Sequence, residues 1–211
     1  MSDVPTNTHA EYAADAAIHG IGLAAVLAGC VSLALVTPWA LWPGAAIGLY
    51  ALGLVATFTC SAAYNLAPAG RGKALLRRFD HAAIFLMIAG TYTPVSLLAI
   101  GGTWGAVLLA IVWGGALPGA AVKLLAPGRY ERASIAAYLL LGWVGVAALA
   151  PLIQSMEAWQ LGMLILGGAL YSLGVFFHLS PGLPYNTAIW HGFVVTAAAC
   201  HFAVVFPLAR G

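Results

Sequence analysis

WGAVLLAIVWGGALPGAAVKLL, residues 104–125, carries a single charged side chain, Lys123, close to its C-terminal end. A helix rises about 1.5 Å per residue, so a stretch of this length crosses a hydrocarbon layer of about 30 Å. Working outward, six further apolar runs are bounded by charge or by Pro and Gly clusters: 16–36, 43–64, 80–100, 133–152, 158–177 and 187–208. Together they predict an all-α integral membrane protein, a seven-helix transmembrane bundle. Residues 1–14 read as a polar tail and 15–211 as one transmembrane domain.

Composition agrees. Hydrophobic residues make up 63% of the chain and charged residues 7%, against about 25% charged in a soluble domain. A formal net charge of +2 is far too small for nucleic-acid binding, which needs a strongly basic face. The three cysteines, Cys30, Cys60 and Cys200, lie inside apolar runs and form no CxxC pair, so they read as small packing residues.

Seven of the eight Lys and Arg residues fall in two links. Arg71, Lys73, Arg77 and Arg78 follow the second run, and Lys123, Arg129 and Arg132 lie at or beyond the end of the fourth. Basic loops stay in the cytoplasm, which places the N-terminus inside and the C-terminus outside the cell membrane. Membrane lipids are then the natural partners; no protein partner and no oligomeric interface can be read from the sequence.

Ionisable groups inside a membrane are costly and mark functional sites by default. With this topology Asp15, His19, Ser61, Tyr64, Asn65, Asp80, His81, His178, Thr187 and His191 gather just below the cytoplasmic surface. Each also has a plain structural reading. Asp80 opens its run and is placed to cap helical amides. Asp15 and His178 sit near helix ends, where interfacial water is within reach. His19 is placed to hydrogen-bond neighbouring backbone. His191, a turn inside the last run, reads as a ligand or proton carrier. His201 lies about 15 Å deeper and reads as a helix–helix hydrogen-bonding group. In AGTYTP, residues 89–94, Pro94 should kink its helix, with the threonine hydroxyls meeting the freed carbonyls.

Several stretches together resemble the hemolysin III family, the bacterial branch of the progestin and adipoQ receptors. They are SAAYN at 61–65, RFDHAAIF at 78–85, IAGTYTP at 88–94, GGALYSLG at 167–174, WHGFV at 190–194 and HGIG at 19–22. The resemblance implies seven helices with a cytoplasmic N-terminus and a zinc ion near the cytoplasmic face. It further implies three histidine ligands, one closing Ser-xxx-His on the second span and two forming His-xxx-His on the seventh, with an Asp opening the third. Carried over residue by residue, Ser61, Asp80 and His191 match, but Asn65 and Thr187 stand where two of the histidines belong. Asn and Thr offer neutral oxygens that bind zinc poorly, and His81 points about 100° away from Asp80 around the helix.

Three functions follow as expectations. The favoured one is a lipid-binding or membrane-homeostasis protein whose polar pocket (Asn65, Thr187, His81, Tyr64 and His19) persists while the zinc site is eroded, with His191 a partial metal ligand. The second is a metal-dependent lipid amide hydrolase, in the manner of the ceramidases of the wider superfamily, with Asp80 and Ser61 catalytic. It lacks a metal-activated water once two ligands are gone. The third is a cytolytic pore or ion-coupled transporter. Against it, the outer half holds little polarity beyond Ser96, Thr103, Gln154 and His201.

Overall fold

A computed structural model describes residues 8–211. Seven helices are long and apolar enough to cross a membrane: α1 His9–Val36, α2 Leu41–Leu66, α3 Arg71–Ile100, α4 Gly102–Leu125, α5 Glu131–Ser155, α6 Ala158–His178 and α7 Asn186–Leu208. The expected architecture is therefore present, and no strand occurs among the described residues.

Two helix starts differ from expectation. α1 begins at His9, so most of the described part of the 1–14 tail is helical; residues 1–7 lie outside the described residues. The cause is local: Thr8 Oγ1 accepts from the Glu11 amide at 3.2 Å, and the Glu11 carboxylate accepts from the Thr8 amide at 2.7 Å, a capping box. α3 begins at Arg71 with Gly70 at its N-cap. Arg71, Lys73, Arg77 and Arg78 thus occupy its first turns rather than a loop, and Asp80 lies two turns inside, buried. Asp80 is therefore no cap.

After Pro94 the third helix widens into a π turn, Val95–Ile100, the expected disturbance at this proline. Thr91 Oγ1 donates to the Met87 carbonyl and Thr93 Oγ1 to the Ala89 carbonyl. α5 is interrupted as well, by a 3-10 stretch over Val144–Ala148. There the Tyr92 hydroxyl donates to the Gly142 carbonyl at 2.7 Å and accepts from the Gly145 amide at 2.9 Å.

Small residues set the packing distances. Gly53 of α2 faces the backbone of Leu86 and Met87, and Gly90 of α3 faces that of Leu49 and Tyr50. The two helices meet backbone to backbone, as membrane helices do where glycine permits it. One apolar core joins α1, α2 and α7 through Leu33, Tyr50, Phe58 and Val205; a second joins α3 and α4 through Phe85, Val112 and Ala116. Large apolar side chains such as Leu27, Leu35 and Ile153 face outward, where lipid covers them.

The two ends of the bundle differ in chemistry. At one end, Glu131 gathers Arg77 at 3.2 Å, Lys123 at 3.0 Å and His81 at 3.7 Å, tying α3, α4 and α5 together. At the other, Trp39, Trp42, Trp104 and Trp159 are exposed near helix termini, as in the aromatic belt of a membrane interface.

Candidate functional site

Asp15 and His19 are one helical turn apart, so both side chains leave the same face of α1. α1 packs against α7, whose second turn presents His191 to that face. The His191 Nδ1 and Asp15 Oδ1 atoms are 2.6 Å apart, a short hydrogen bond. His19 Nε2 is 3.5 Å from Asp15 Oδ2, and the two imidazole centroids are 4.3 Å apart. All three side chains are buried. The expectation that Asp15 faces interfacial water is thereby corrected: the early start of α1 moves it inside the bundle, where His191 supplies its partner.

Ser61 joins from α2, its Oγ 3.4 Å from His191 Nε2. Asp80 of α3 lines the same cavity as Ser61. The sequence therefore placed His19, Ser61, Asp80 and His191 at a common depth, and the structure gathers them at one end of a cavity of about 190 Å³. The rest of the lining is largely apolar, with Phe58, Met87, Ile88 and Val194 among its walls, and it runs between α3, α5, α6 and α7 down to His201. His201 Nε2 meets the Leu164 carbonyl at 3.3 Å, the expected contact between two helices.

The remaining pocket candidates divide. His81 lines the cavity but turns towards Glu131, while Tyr138 donates to its carbonyl at 2.9 Å. His178 lines the cavity as well and lies against the Trp190 ring. Asn65, Tyr64 and Thr187 stand outside the lining. Asn65 Nδ2 donates to the Ser61 carbonyl at 2.9 Å and approaches Ser61 Oγ at 3.3 Å. Thr187 Oγ1 donates to Asn186 Oδ1 at 3.4 Å, and Lys73 reaches over the Tyr64 ring.

The chain matches the family model described as "Haemolysin-III related" over residues 8–202, which includes every span but the end of the last. It belongs to the haemolysin-III related family. A hemolysin-3 homolog of Bacillus subtilis is 34% identical over 199 residues, 93% of each chain. Hemolysin-3 of Bacillus cereus is 42% identical over 126 residues, 60% of this chain and 58% of that one. The human monocyte to macrophage differentiation factor is 30% identical over 174 residues, 78% of this chain and 71% of its own.

The zinc ligand set that the haemolysin III resemblance implies does not fit these residues. A carbonyl only accepts hydrogen bonds, so the Asn65 atom facing Ser61 O is the amide nitrogen, which has no lone pair to give a metal. Thr187 is turned to its neighbour. Of those three ligand positions, only His191 offers an imidazole.

Proposed function

We propose that this haemolysin III-like multi-pass membrane protein binds a lipid, with the acyl portion in the apolar cavity and a polar group at its His19–Ser61–Asp80–His191 end. The carrying observation is the cavity itself: a mostly apolar enclosure with a few convergent polar groups at one end is the usual make-up of a small-molecule site. A chain of methylenes gains about 0.8 kcal/mol per buried CH₂ over water. From within a bilayer that gain largely vanishes, so the polar groups must discriminate.

The basic end is assigned to the cytoplasm on the positive-inside rule, which opens the polar end of the cavity towards the inner leaflet. A membrane-homeostasis role follows if occupancy reports the state of that leaflet. The hydrolase reading would need a metal-activated water, and the ligand set implied by resemblance does not provide one.

The test is native mass spectrometry of the full chain extracted in mild detergent, beside Ile88→Trp, which fills the cavity wall. Wild type should carry a lipid adduct that the variant loses. A lipid-free wild type after reconstitution in native lipid extract would overturn the proposal.

A further inference from the structure

We propose that Asp15, His19 and His191 form a binding site for a zinc-type divalent cation, built across α1 and α7 rather than from the second and seventh spans. It uses the polar end of the cavity but does not depend on lipid binding there.

The donor set is the first argument. Two imidazoles and one carboxylate suit zinc, and three protein ligands leave one position open. One donor atom from each residue lies within 4.8 Å of the others. Ligands on a tetrahedral zinc with bonds of about 2.0–2.1 Å stand about 3.3 Å apart. The His19–Asp15 pair, at 3.5 Å, is already close to that spacing. His191 Nδ1 meets the other carboxylate oxygen at 2.6 Å, so Asp15 would turn to present one oxygen and the His191 contact would open by several tenths of an ångström as the cation replaces the proton between them.

His19 supplies the independent sign. Its side chain is 96% buried, and its Nε2 has no hydrogen-bond partner although it points at the Asp15 carboxylate. A buried ring nitrogen without a partner is unfavourable, and a metal bond satisfies it. His191 also has the support expected of a ligand: with Nδ1 towards the site, its other nitrogen meets Ser61 Oγ at 3.4 Å, which fixes the ring. Asn65 in turn holds Ser61. The residue that has lost a ligand's chemistry thus steadies the shell around a different one. A bound ion would place a Lewis acid at the polar end of the cavity.

The experiment uses the full chain in detergent, stripped with chelator, reloaded with zinc chloride and washed. Metal content by mass spectrometry should give about one zinc per chain, with a higher melting temperature than the stripped form. Cobalt(II) loaded in its place should give the visible absorption of a four-coordinate nitrogen and oxygen site, a readout that needs no variant. Asp15→Asn and His19→Gln should each weaken zinc binding at least tenfold, while His9→Ala, an exposed imidazole at the start of α1 outside the cavity and the cluster, binds as wild type. Should Asp15→Asn fail to fold, Asp15→Glu keeps the carboxylate and must retain the metal while His19→Gln does not. A wild type that takes up no zinc overturns the proposal and leaves Asp15–His191 a structural hydrogen bond; so does His19→Gln with unchanged affinity. Lipid adducts are scored on the same samples. Zinc without lipid overturns only the lipid reading, and lipid without zinc only this one.

Discussion

Gly90→Ala tests the backbone contact between α2 and α3. A Cβ at Gly90 would lie 2.8 Å from the Leu49 carbonyl oxygen and 3.4 Å from Tyr50 Cα. Ordinary contact begins at 3.4 Å, so the carbonyl falls short by 0.6 Å, and the obstacle is backbone rather than a side chain that can rotate away. The helices must therefore separate along a seam that Gly53 shares, since its own Cβ would meet Leu86 O at 3.0 Å. Overpacking of this kind costs about 1–3 kcal/mol, equivalent to about 2–12 °C in melting temperature for a chain of this size. Gly48→Ala, on α2 with Gly53, meets nothing within 4 Å and should melt at or above wild type, because alanine is the better helix former. In the double variant Gly53→Ala/Gly90→Ala, the separation forced by one methyl makes room for the other, so the losses should sum to less than the two singles. Thermal unfolding in detergent, followed by tryptophan fluorescence, reads wild type, the three single variants and the double. Equal melting temperatures for Gly90→Ala and Gly48→Ala would refute the close-contact reasoning.

Glu131→Gln leaves Lys123, only 2% exposed, beside a neutral amide. Because Glu131 itself is about a third exposed, solvent screens part of the effect, and a loss of about 1–2 kcal/mol in the same melt is expected; no loss would mean that Lys123 finds another partner. Tyr92→Phe strips the Gly142 carbonyl and the Gly145 amide of one shared hydroxyl. It should cost about 1–3 kcal/mol and speed amide exchange at Gly145; unchanged exchange would argue that the 3-10 break holds without it. In an Asp15→Asn/His19→Gln background, adding Asn65→His and Thr187→His should restore zinc in a metal assay, since three imidazoles then occupy the positions implied by the haemolysin III resemblance. Failure would mean that this bundle no longer brings those positions together.

The seven spans were legible because apolar length is a strong signal and the residues that bound it are few. Helix starts were less so. Arg71 to Arg78 read as a loop because charge ends the apolar run, yet those side chains continue the helix beyond the apolar zone and carry Asp80 inside. Asp15 misled in a similar way. Its spacing to His19 is a plain i, i+4 pair on an apolar helix, and that signal was present. Treating residues 1–14 as a tail left Asp15 at a frayed end, where a carboxylate is unremarkable. The Thr8–Glu11 capping box, visible as Thr-xx-Glu, was the cue that moves the start. Position 191 was found from depth alone. Its pairing with α1 was not, because nothing local in a sequence reports which helices become neighbours.

The π turn after Pro94 has a consequence for how α3 divides its duties. The π turn runs to the end of α3 at Ile100, and its wider ring turns the faces of this last stretch away from those of the helix before it. Before the turn, Gly90 lies against α2; within it, the Ser96 carbonyl crowds Gly105 of α4, and Val95 packs with Leu152 and Val204. One continuous rod thereby serves two sets of neighbours that no single stripe could reach. Length, more than residue identity, is what this segment transmits: removing one residue between 95 and 100 would shift the point at which Gly101 turns the chain into α4, while leaving the helix before Pro94 intact.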